Sequence, residues 1–562
     1  MKRIKSFFND QSKFNSKDTL LLGFIVLIYI VVSFIHFGSF KAPNTFYTIN
    51  KDGITIELQE EVSRATILYY NGELSGNYNM YLSLDGKNYT DNKNILMQGT
   101  GAFAWDEGSI DQEIKKELKI NSNIKYIKLV PNDTKKLILG EIAIYSETGK
   151  KISTSITDSK GNKVFLLSDE AITIPSVLDS TKSSYFDEIY FARSAYEYAN
   201  GLEAYDWVHP PLGKLIQAIP IKLSHNMAPF YYRLMSNIAG IIMIIVMYLF
   251  GKAMFKKRKY ALISALLMAL DNFHFVQTRI GTIDSFLVLF ILLSYFFMFK
   301  YIEKSKNKHL FLSGLFCGLS ICTKWTGLMA GLGLAIIYLI YEFKVKEKVI
   351  PYLLKGLSFF IIIPLVLYTS IYLAFPKVNN LHTTSIPKIV KQTEDMYNYH
   401  AYLEEGHPFA SKWYTWPVMK KPLWYYTRNM TFTTRSTIVL IGNIVIWYTG
   451  IIAILLLPLF IIKKKNKKSL FLLIGALSLW LPYMFIGRAM FIYHYFPVLP
   501  FMYLAITNLF YQINKRNKYD LFLILYMMIC LLVFIIYYPV SSGVPVNDKY
   551  IEKTKILSTW EY

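Results

Sequence analysis

The segment Ser184–Lys222, SYFDEIYFARSAYEYANGLEAYDWVHPPLGKLIQAIPIK, separates two kinds of sequence in this 562-residue chain. Before it, residues 39–175 are largely polar, with short alternating apolar runs, and after it long apolar runs follow one another closely. Close to that change lie two adjacent carboxylates, Asp187 and Glu188. Such a pair can provide a general base whose pKa depends on its surroundings, although a solvated pair that caps a helix is the simpler interpretation.

The composition indicates a protein with many membrane spans. Hydrophobic residues make up 53% of the chain and the mean hydropathy is +0.29, which is too apolar for a soluble protein of this size. The formal net charge is +22, and the basic residues form short blocks between apolar runs, as in cytoplasmic loops rather than in nucleic-acid-binding surfaces. We expect neither disulfides nor a zinc site, because Cys317, Cys322 and Cys530 all lie within apolar runs.

The apolar runs predict about eleven spans. The first, Thr19–Phe37, is long for a signal peptide and is not followed by a typical cleavage site, so we expect a retained span with a cytoplasmic N-terminus. The other spans are predicted at about 231–251, 259–276, 281–301, 309–323, 326–343, 352–375, 436–462, 469–487, 493–511 and 520–539. This topology gives a multi-pass protein of the cell membrane whose predicted cytoplasmic loops are all basic. These loops are Lys252–Lys259, Glu303–Lys308, Lys344–Lys348, Lys463–Lys468 and Gln512–Lys518.

Residues 39–175 predict a β-sandwich outside the membrane, because short alternating segments are separated by turn residues. The pattern resembles discoidin-like, galactose-binding jelly rolls, especially at Ser83–Thr90 and Glu141–Ile144. A glycan ligand and a structural or acceptor-positioning role both remain open. The predicted strands are Ile54–Leu58, Ala65–Tyr70, Tyr78–Leu84, Tyr126–Val130 and Leu137–Tyr145, with turns at Asn71-Gly72, Asp85-Gly86, Pro131–Asp133 and Thr148-Gly149.

Several charged or polar side chains interrupt the apolar runs. Charge at membrane depth is costly, so each is a functional candidate, although snorkelling to the interface is the simpler explanation for any one of them. In the predicted topology they share the outer rim with the acidic pair. Such a group of cations suits an anionic lipid headgroup such as a phosphate, with a carboxylate as base on an acceptor hydroxyl. The group consists of Arg233, Arg279, Asp284, Lys324, Arg488, Tyr493 and His494.

Eight short motifs follow one another between about residues 184 and 511. They are Phe186-Asp187-Glu188, His209–Lys214, Tyr232-Arg233-Leu234, Val276–Arg279 with Asp284, Lys324–Gly327, His407–Trp413 with Thr415–Pro417, Ile441–Asn443, and Arg488–Tyr495 with Pro497. In this order they resemble the protein O-mannosyltransferase family, the dolichyl-phosphate-mannose–protein mannosyltransferases, in its bacterial form. Two departures leave the choice of acceptor open: the inserted β-domain is unusual for that family, and the loop 376–435 is too short for the β-trefoil repeats of eukaryotic members.

The resemblance implies a polytopic α-helical enzyme of the C-type glycosyltransferase fold. It would move mannose from a polyprenyl-phosphate donor to Ser or Thr of an exported protein. Asp187 would be the base, and Glu188 would help to hold the acceptor or the loop. The cations Arg233, Arg279, Lys324 and Arg488, with His494, are candidates for binding the donor phosphate or for structural roles. Structural or acceptor-positioning roles are expected for His209, Lys214, Asp284, Trp325, His407 and Trp413.

The chemistry predicts a single displacement with inversion, since an activated hydroxyl attacks the anomeric carbon from the face opposite the leaving phosphate. Fixed cations can stabilise that phosphate, so the reaction requires no metal or other cofactor. The predicted organisation is a cytoplasmic N-terminus and first span (1–38), a β-sandwich (39–175), an outer catalytic loop (176–230), spans 2–7 (231–375), an outer loop (376–435), spans 8–11 (436–540) and an outer tail (541–562).

Three other functions remain open. A transferase of the same fold could move another sugar, or move it to a lipid or glycan. A transporter of lipid-linked sugars would place functional charges on both membrane faces and contain internal repeats, whereas here the charges gather on one predicted face and we find no repeat. An inactive adhesion or sensor protein built around the β-domain is disfavoured by the intact acidic pair.

Overall fold

The computed structural model describes residues 14–90, 95–98, 101–110, 123–132, 136–345, 349–403, 406–514 and 517–562. The chain divides into two compact units. The sandwich unit is Gly38–Tyr196 with Ile219–Tyr232, and the helical unit is Met1–Phe37, Glu197–Ala218 and Arg233–Tyr562. Parts of three predicted basic segments, residues 1–13, 346–348 and 515–516, lie outside the described residues, as does Asp133 of a predicted turn.

The described strands of the sandwich unit form two five-stranded antiparallel sheets. These strands are β1 Tyr47–Ile49, β2 Ile54–Val62, β3 Ala65–Asn71, β4 Asn77–Ser83, β5 Ile95–Gln98, β6 Ala104–Ile110, β7 Ile124–Pro131, β8 Leu137–Ser146, β9 Lys151–Ile152 and β10 Thr154–Asp158. One has the order β1-β8-β3-β6 with β9 on β8, and the other has the order β10-β2-β7-β4-β5. Alternate residues of both sheets, such as Ile56 and Leu58 of β2 and Ile67 and Tyr69 of β3, are fully buried in one shared core. The predicted sandwich is therefore confirmed.

Helices make up most of the helical unit. Within the described residues the helices are α1 Ser16–Phe34, α2 Glu188–Ala199, α3 Leu212–Ser224, α4 Pro229–Phe255, α5 Arg258–Ala269, α6 Asn272–Arg279, α7 Asp284–Lys304, α8 Asn307–Ile321, α9 Thr326–Val345, α10 Val349–Leu357, α11 Ile363–Ala374, α12 Ile386–Tyr402, α13 Ile444–Lys464, α14 Lys467–Trp480, α15 Leu499–Ile513, α16 Asp520–Ser542 and α17 Asp548–Thr554. A π-helical turn, Ser358–Ile362, joins α10 to α11, and 3₁₀ turns at Leu481–Phe485 and Ile492–Val498 extend α14 and α15.

Eight of the described helical segments are long and apolar enough to cross a membrane, or up to nine if the pair α5 and α6, bent by 59°, forms one span. The sequence predicted about eleven. The other two predicted spans correspond to α8 and α9. Helix α8 has 15 residues, and the apolar part of α9, Thr326–Glu342, is shorter than the helices that qualify as membrane spans. All three cysteines are buried and free.

The predicted span 436–462 is wrong at its start. Residues Thr434–Leu440 form strand β12, which pairs with β11, Leu423–Asn429, and with β13, Val546–Asn547. In a sequence, a short run of buried apolar residues has the same pattern in a strand as in a helix. Val439 and Leu440 belong to such a run, since both are fully buried. Helix α13 begins only after Asn443, whose side chain accepts hydrogen bonds from the amides of Val445 and Ile446.

Candidate active site

The acidic pair lies at the N-terminal end of α2, in the sandwich unit. The amides of Tyr190 and Phe191 donate to the carbonyl oxygen of Asp187 at 3.1 and 3.2 Å, which places Asp187 at the cap position. Glu188 is fully buried, and its Oε2 accepts the amide of Tyr185 at 3.1 Å. The pair does begin a helix, as the simpler interpretation has it. However, Glu188 is not solvated, and Asp187 is partly buried.

A tight turn sets the direction of the pair. Phe186, immediately before Asp187, has φ 52°, a left-handed conformation that is unusual for a bulky residue. The amide of Glu188 donates to the carbonyl oxygen of Tyr185 at 3.3 Å, which closes the turn. Such backbone conformations persist only where the surrounding contacts hold them, so the orientation of Asp187 depends on its neighbours.

In the helical unit, the loop before α3 closes on itself through a buried ion pair. Nζ of Lys214, which is completely buried, lies 2.9 Å from Oδ2 of Asp206 and also donates to the carbonyl oxygens of Asp206 and His209. Nδ1 of His209 lies 3.2 Å from the other carboxylate oxygen. Burial alone would raise the pKa of Asp206, but Lys214 and His209 bring this pKa well below its usual range. Lys214 therefore organises the loop.

Helix α12 fixes the backbone of the same loop at two consecutive residues. Nε2 of Gln392 donates to the carbonyl oxygen of Trp207 at 2.9 Å, and Nε2 of His400 contacts that of Val208 at 2.8 Å. Gln392 and His400 are eight residues apart and lie on one face of the helix, together with buried Met396. The loop is therefore attached to α12 by side chains whose spacing matches the helical repeat.

His400 also holds Arg488. Because Nε2 of His400 faces a carbonyl oxygen, it carries the proton, and Nδ1 accepts from Nη1 of Arg488 at 2.9 Å. Burial, with His209 and Arg488 adding to it, lowers the pKa of His400 to about 3, so the ring is neutral. Within the described part of the chain this is the one side-chain hydrogen bond of Arg488, which leaves its other N–H donors for a ligand.

A second cation comes from the turn between α8 and α9. Nζ of Lys324 lies 3.0 Å from Oδ1 of Asp284, which begins α7, and 5.1 Å from the ring centre of Tyr493. The next residue, Trp325, places its ring 6.2 Å from that of His400. The positive charge of Lys324 helps to lower the pKa of both His209 and His400. We call the two cations Lys324 and Arg488, together with the imidazoles of His209 and His400 beside them, the cationic cluster.

His494 lies in an aromatic stack next to this cluster. Its ring is nearly parallel to those of Trp416, at 5.9 Å and 13°, and Tyr493, at 4.4 Å and 20°. Its Nδ1 lies 3.0 Å from the carbonyl oxygen of Phe491. Since Tyr493 also contacts Lys324, the stack connects His494 to the cationic cluster through one ring.

Arg233 and Arg279 lie at the C-terminal end of α1. Arg279 donates from Nε to the carbonyl oxygen of Ser33 at 3.0 Å and from Nη2 to those of Ile35 and His36 at 2.7 and 2.9 Å. Nη1 of Arg233 donates to the carbonyl oxygen of Phe37 at 2.8 Å. A helix end leaves carbonyl groups without intrahelical partners, and these two guanidinium groups satisfy carbonyls there and just beyond. This arrangement favours the structural alternative for both residues.

His407 and Trp413 connect the loop after α12 to two other segments, His407 to Phe491 and Trp413 to Trp480 at the end of α14. The exposed His407 places its ring 5.0 Å from that of Phe491, and its Nδ1 accepts the amide of Phe409 at 3.1 Å. The carbonyl oxygen of Trp413 accepts from Nε1 of Trp480 at 3.0 Å. Their predicted role in positioning an acceptor stays a prediction.

The sequence reasoning missed Asp206, Gln392 and His400. Asp206 lies three residues before His209, within Ser184–Lys222, and an acidic residue at that spacing from a motif histidine could have indicated a pair. The other two lie on α12, whose buried residues Ile389, Gln392 and Met396 follow a helical repeat within a region predicted only as a loop.

Comparisons with known proteins agree with this architecture. A family model described as dolichyl-phosphate-mannose-protein mannosyltransferase matches residues 208–368, and one described as the C-terminal four-transmembrane region of protein-O-mannosyltransferase matches residues 385–560. The chain is 22% identical over 439 residues, 65% of this chain and 85% of the relative, to a polyprenol-phosphate-mannose–protein mannosyltransferase of Mycolicibacterium smegmatis. A relative of the same name from Corynebacterium glutamicum is 21% identical over 423 residues, 63% of this chain and 81% of that one.

The fold is similar to that of a solved structure, the protein O-mannosyltransferase complex of Saccharomyces cerevisiae bound to the sugar donor. The TM-score is 0.60 with 15% sequence identity, and the match covers 67% of this chain and 89% of the yeast chain. This similarity extends the agreement from sequence to the arrangement of the helices.

Proposed function

Because the chain belongs to the protein O-mannosyltransferase family, we propose that it transfers mannose from polyprenyl-phosphate mannose to Ser or Thr hydroxyl groups of exported proteins. The observation that carries the proposal is the pair of cations Lys324 and Arg488. Each is held through one hydrogen bond, to Asp284 and His400 respectively. Guanidinium and ammonium groups held in this way suit a phosphate ester.

The proposed reaction is a single displacement at the anomeric carbon of mannose. The acceptor oxygen forms the new bond to this carbon while the bond from the carbon to the phosphate oxygen breaks, and the electron pair leaves with the phosphate. Lys324 and Arg488 stabilise the charge that grows on the leaving phosphate. Asp187 accepts the proton of the attacking hydroxyl. Because one displacement occurs, the product has the anomeric configuration opposite to that of the donor.

The neutral state of His400 supports this assignment of Arg488. A protonated imidazole next to the guanidinium would repel it, whereas the neutral Nδ1 accepts a hydrogen bond from Nη1 of Arg488 and fixes the direction of the guanidinium group. Glu188 is proposed to hold the turn that carries Asp187, since its carboxylate accepts the amide of Tyr185. Since side-chain cations supply the positive charge, we propose that no metal or other cofactor is required, and transfer is expected to continue in the presence of a chelator.

The proposed location is the cell membrane, with a cytoplasmic N-terminus and with the inserted sandwich, the acidic pair and the C-terminal segment outside. The support is the basic character of every predicted cytoplasmic loop. Cysteine labelling tests this topology, because the three native cysteines are buried. A membrane-impermeant maleimide is expected to label exposed Lys160→Cys in intact cells and exposed Lys306→Cys only after permeabilisation.

A panel of radiolabelled polyprenyl-phosphate sugars tests the function. The purified protein is incubated with each donor and a Ser/Thr-rich peptide, with the same peptide carrying Ala at those positions as the matched control. We expect label in the first peptide, from the mannose donor alone, and inverted configuration by NMR. Transfer of another sugar, or transfer to lipid while both peptides stay unlabelled, would contradict the proposal.

A further inference from the structure

The sandwich contacts the chain on both sides of the acidic pair. The residues that make most of these contacts form one segment, Gly101–Trp105, which leads into and begins β6. We call it the buttress segment. The contacts reach Ser183 and Ser184 before the pair and Ile189 and Tyr196 after it, and all of these residues belong to the sandwich unit.

The closest contact involves Gly101. A methyl group at its Cα would lie 2.6 Å from Cγ2 of Ile189 and 3.3 Å from Oγ of Ser184, so the backbone of the buttress segment fits directly against the turn and the first residues of α2. A side chain larger than hydrogen has no room there unless Ile189 moves. Ile189 is β-branched and lies in a helix, so its χ1 angle is restricted and it yields poorly.

Two further contacts flank the pair. Oγ of Ser183 donates to the carbonyl oxygen of Trp105 at 2.7 Å. The ring of Phe103 lies 4.6 Å from that of Tyr196 on α2. Arg193 of α2 also lies near Glu73 of the sandwich unit. Burial raises the pKa of Glu73, and the positive charge of Arg193 offsets part of this rise.

The buttress segment is itself firmly held by the sandwich. The amide of Phe103 donates to the carbonyl oxygen of Gly72 at 3.2 Å, and the ring of Trp105 lies 5.4 Å from that of Tyr70. Trp105 also pairs with Tyr70 in the β3–β6 ladder. Phe103 and Trp105 are almost completely buried. Packed interiors of this kind transmit displacement and do not absorb it, so the sandwich offers α2 a rigid support.

We propose that the sandwich is the positioning scaffold of the acidic pair: the buttress segment holds the turn and α2 so that Asp187 keeps the direction that proton transfer requires. This proposal rests on the proposed function, in which Asp187 is the base. It gives the sandwich a role in the reaction that needs no glycan ligand. Gly101 and Ser183 are positioning residues, since they act through Asp187.

The first variant is Gly101→Ala, with Gly76→Ala as the matched control. At Gly76 an added methyl group meets only the flexible end of Leu137, at 2.8 Å from its Cδ2. Gly101→Ala is expected to lower kcat by about 5- to 100-fold while the KM for the donor is unchanged, since small displacements of a catalytic group have effects of this order. Gly76→Ala is expected to resemble wild type. Ser183→Ala adds no atoms but removes the hydrogen bond to Trp105, and it is also expected to lower kcat.

Rescue separates positioning from general damage. Ile189→Ala removes the methyl group that the alanine at position 101 would meet, so the double variant Gly101→Ala/Ile189→Ala is expected to regain most of the lost kcat. Loss of kcat without rescue would overturn the proposal, and so would equal kcat values for Gly101→Ala and Gly76→Ala.

Hydrogen exchange gives a readout that does not depend on transfer. The amides of Tyr190 and Phe191, which donate to Asp187, are expected to exchange faster in Gly101→Ala than in wild type or in Gly76→Ala. If wild type transfers no mannose, the proposed function fails, and the exchange rates still decide whether the sandwich supports this turn. Unchanged exchange in Gly101→Ala would overturn the scaffold role.

Discussion

Nδ1 of His400 lies 2.9 Å from Nη1 of Arg488, while Nε2 of the same ring lies 2.8 Å from the carbonyl oxygen of Val208. One neutral imidazole therefore joins the loop before α3 to a cation that we assign to the donor phosphate. The two nitrogens make different contributions, and substitutions can separate them.

His400→Asn can place an acceptor near the position of Nδ1, and His400→Gln can place a donor near the position of Nε2. If the bond to Arg488 positions the guanidinium, His400→Gln is expected to raise the KM for the donor more than His400→Asn does. The loss of a charge-assisted hydrogen bond corresponds to roughly 10- to 100-fold. Steady-state kinetics with polyprenyl-phosphate mannose measures this difference, and equal KM values for the two variants would contradict the assignment.

The protonation of His400 predicts a pH-dependent stability. In the folded protein its pKa is about 3, against an ordinary value of 6.5, so below about pH 6.5 the unfolded state binds a proton that the folded state does not. Acidification to about pH 5 therefore favours unfolding by up to about 2 kcal/mol, a contribution that is absent at neutral pH. The melting temperature of wild type in detergent is expected to fall more than that of His400→Asn.

The charged and titratable groups near His400 are His209, Arg488 and Lys324. The two cations stay charged over this pH range, and His209 is present in both proteins. Equal falls in melting temperature for wild type and His400→Asn would contradict this prediction, because they would mean that His400 binds a proton equally well in the folded and the unfolded state.

The ion pair between Asp206 and Lys214 is expected to matter for folding more than for chemistry. Lys214→Met leaves a buried carboxylate without its cation, and Asp206→Asn leaves a buried ammonium group, so each is expected to lower the free energy of unfolding by about 3–5 kcal/mol. The double variant Asp206→Asn/Lys214→Met removes both charges and is expected to recover much of that loss. A double-mutant cycle from thermal or denaturant unfolding measures the coupling, and additive effects would contradict the burial of the pair.

Substitutions of Arg279 and of Arg488 are expected to affect different properties, stability in the first case and donor binding in the second. Arg279→Gln removes donors from three carbonyl oxygens at the end of α1 and is expected to lower stability while the KM for the donor is unchanged. Arg488→Gln removes a guanidinium group that we assign to the donor phosphate, so it is expected to raise that KM with little effect on the melting temperature. A large rise in KM for Arg279→Gln at unchanged stability would instead support the prediction that Arg279 binds the donor phosphate.

The sequence revealed those parts of the fold whose pattern is local. Strands β2, β3, β4, β7 and β8 were predicted because they alternate or form apolar runs between turn residues. Strand β6, AWDEGSI, contains few β-branched residues and was missed. Strand β12 was assigned to a membrane span because its apolar run continues almost without a break into α13.

The candidate site shows the same division between local pattern and long-range contact. Lys324, Arg488 and His494 were predicted because charged or polar residues stand out in an apolar chain. The role of His400 depends on partners that lie 192 and 88 residues away in the sequence, and no local pattern specifies such pairs. Arg233 and Arg279 met the same criterion as Lys324, and only the structure revealed the carbonyl groups at the end of α1 that they satisfy.

The most direct test of the account is the rate of mannose transfer by Asp187→Asn. This substitution keeps the size of the side chain and removes its ability to accept a proton, while Glu188→Gln, which still accepts the amide of Tyr185, serves as the matched control. We predict that Asp187→Asn lowers kcat by about 100- to 10,000-fold, as expected for loss of a general base, with the KM for the donor and the melting temperature unchanged. Transfer by Asp187→Asn at the wild-type rate would contradict the central claim that Asp187 is the base.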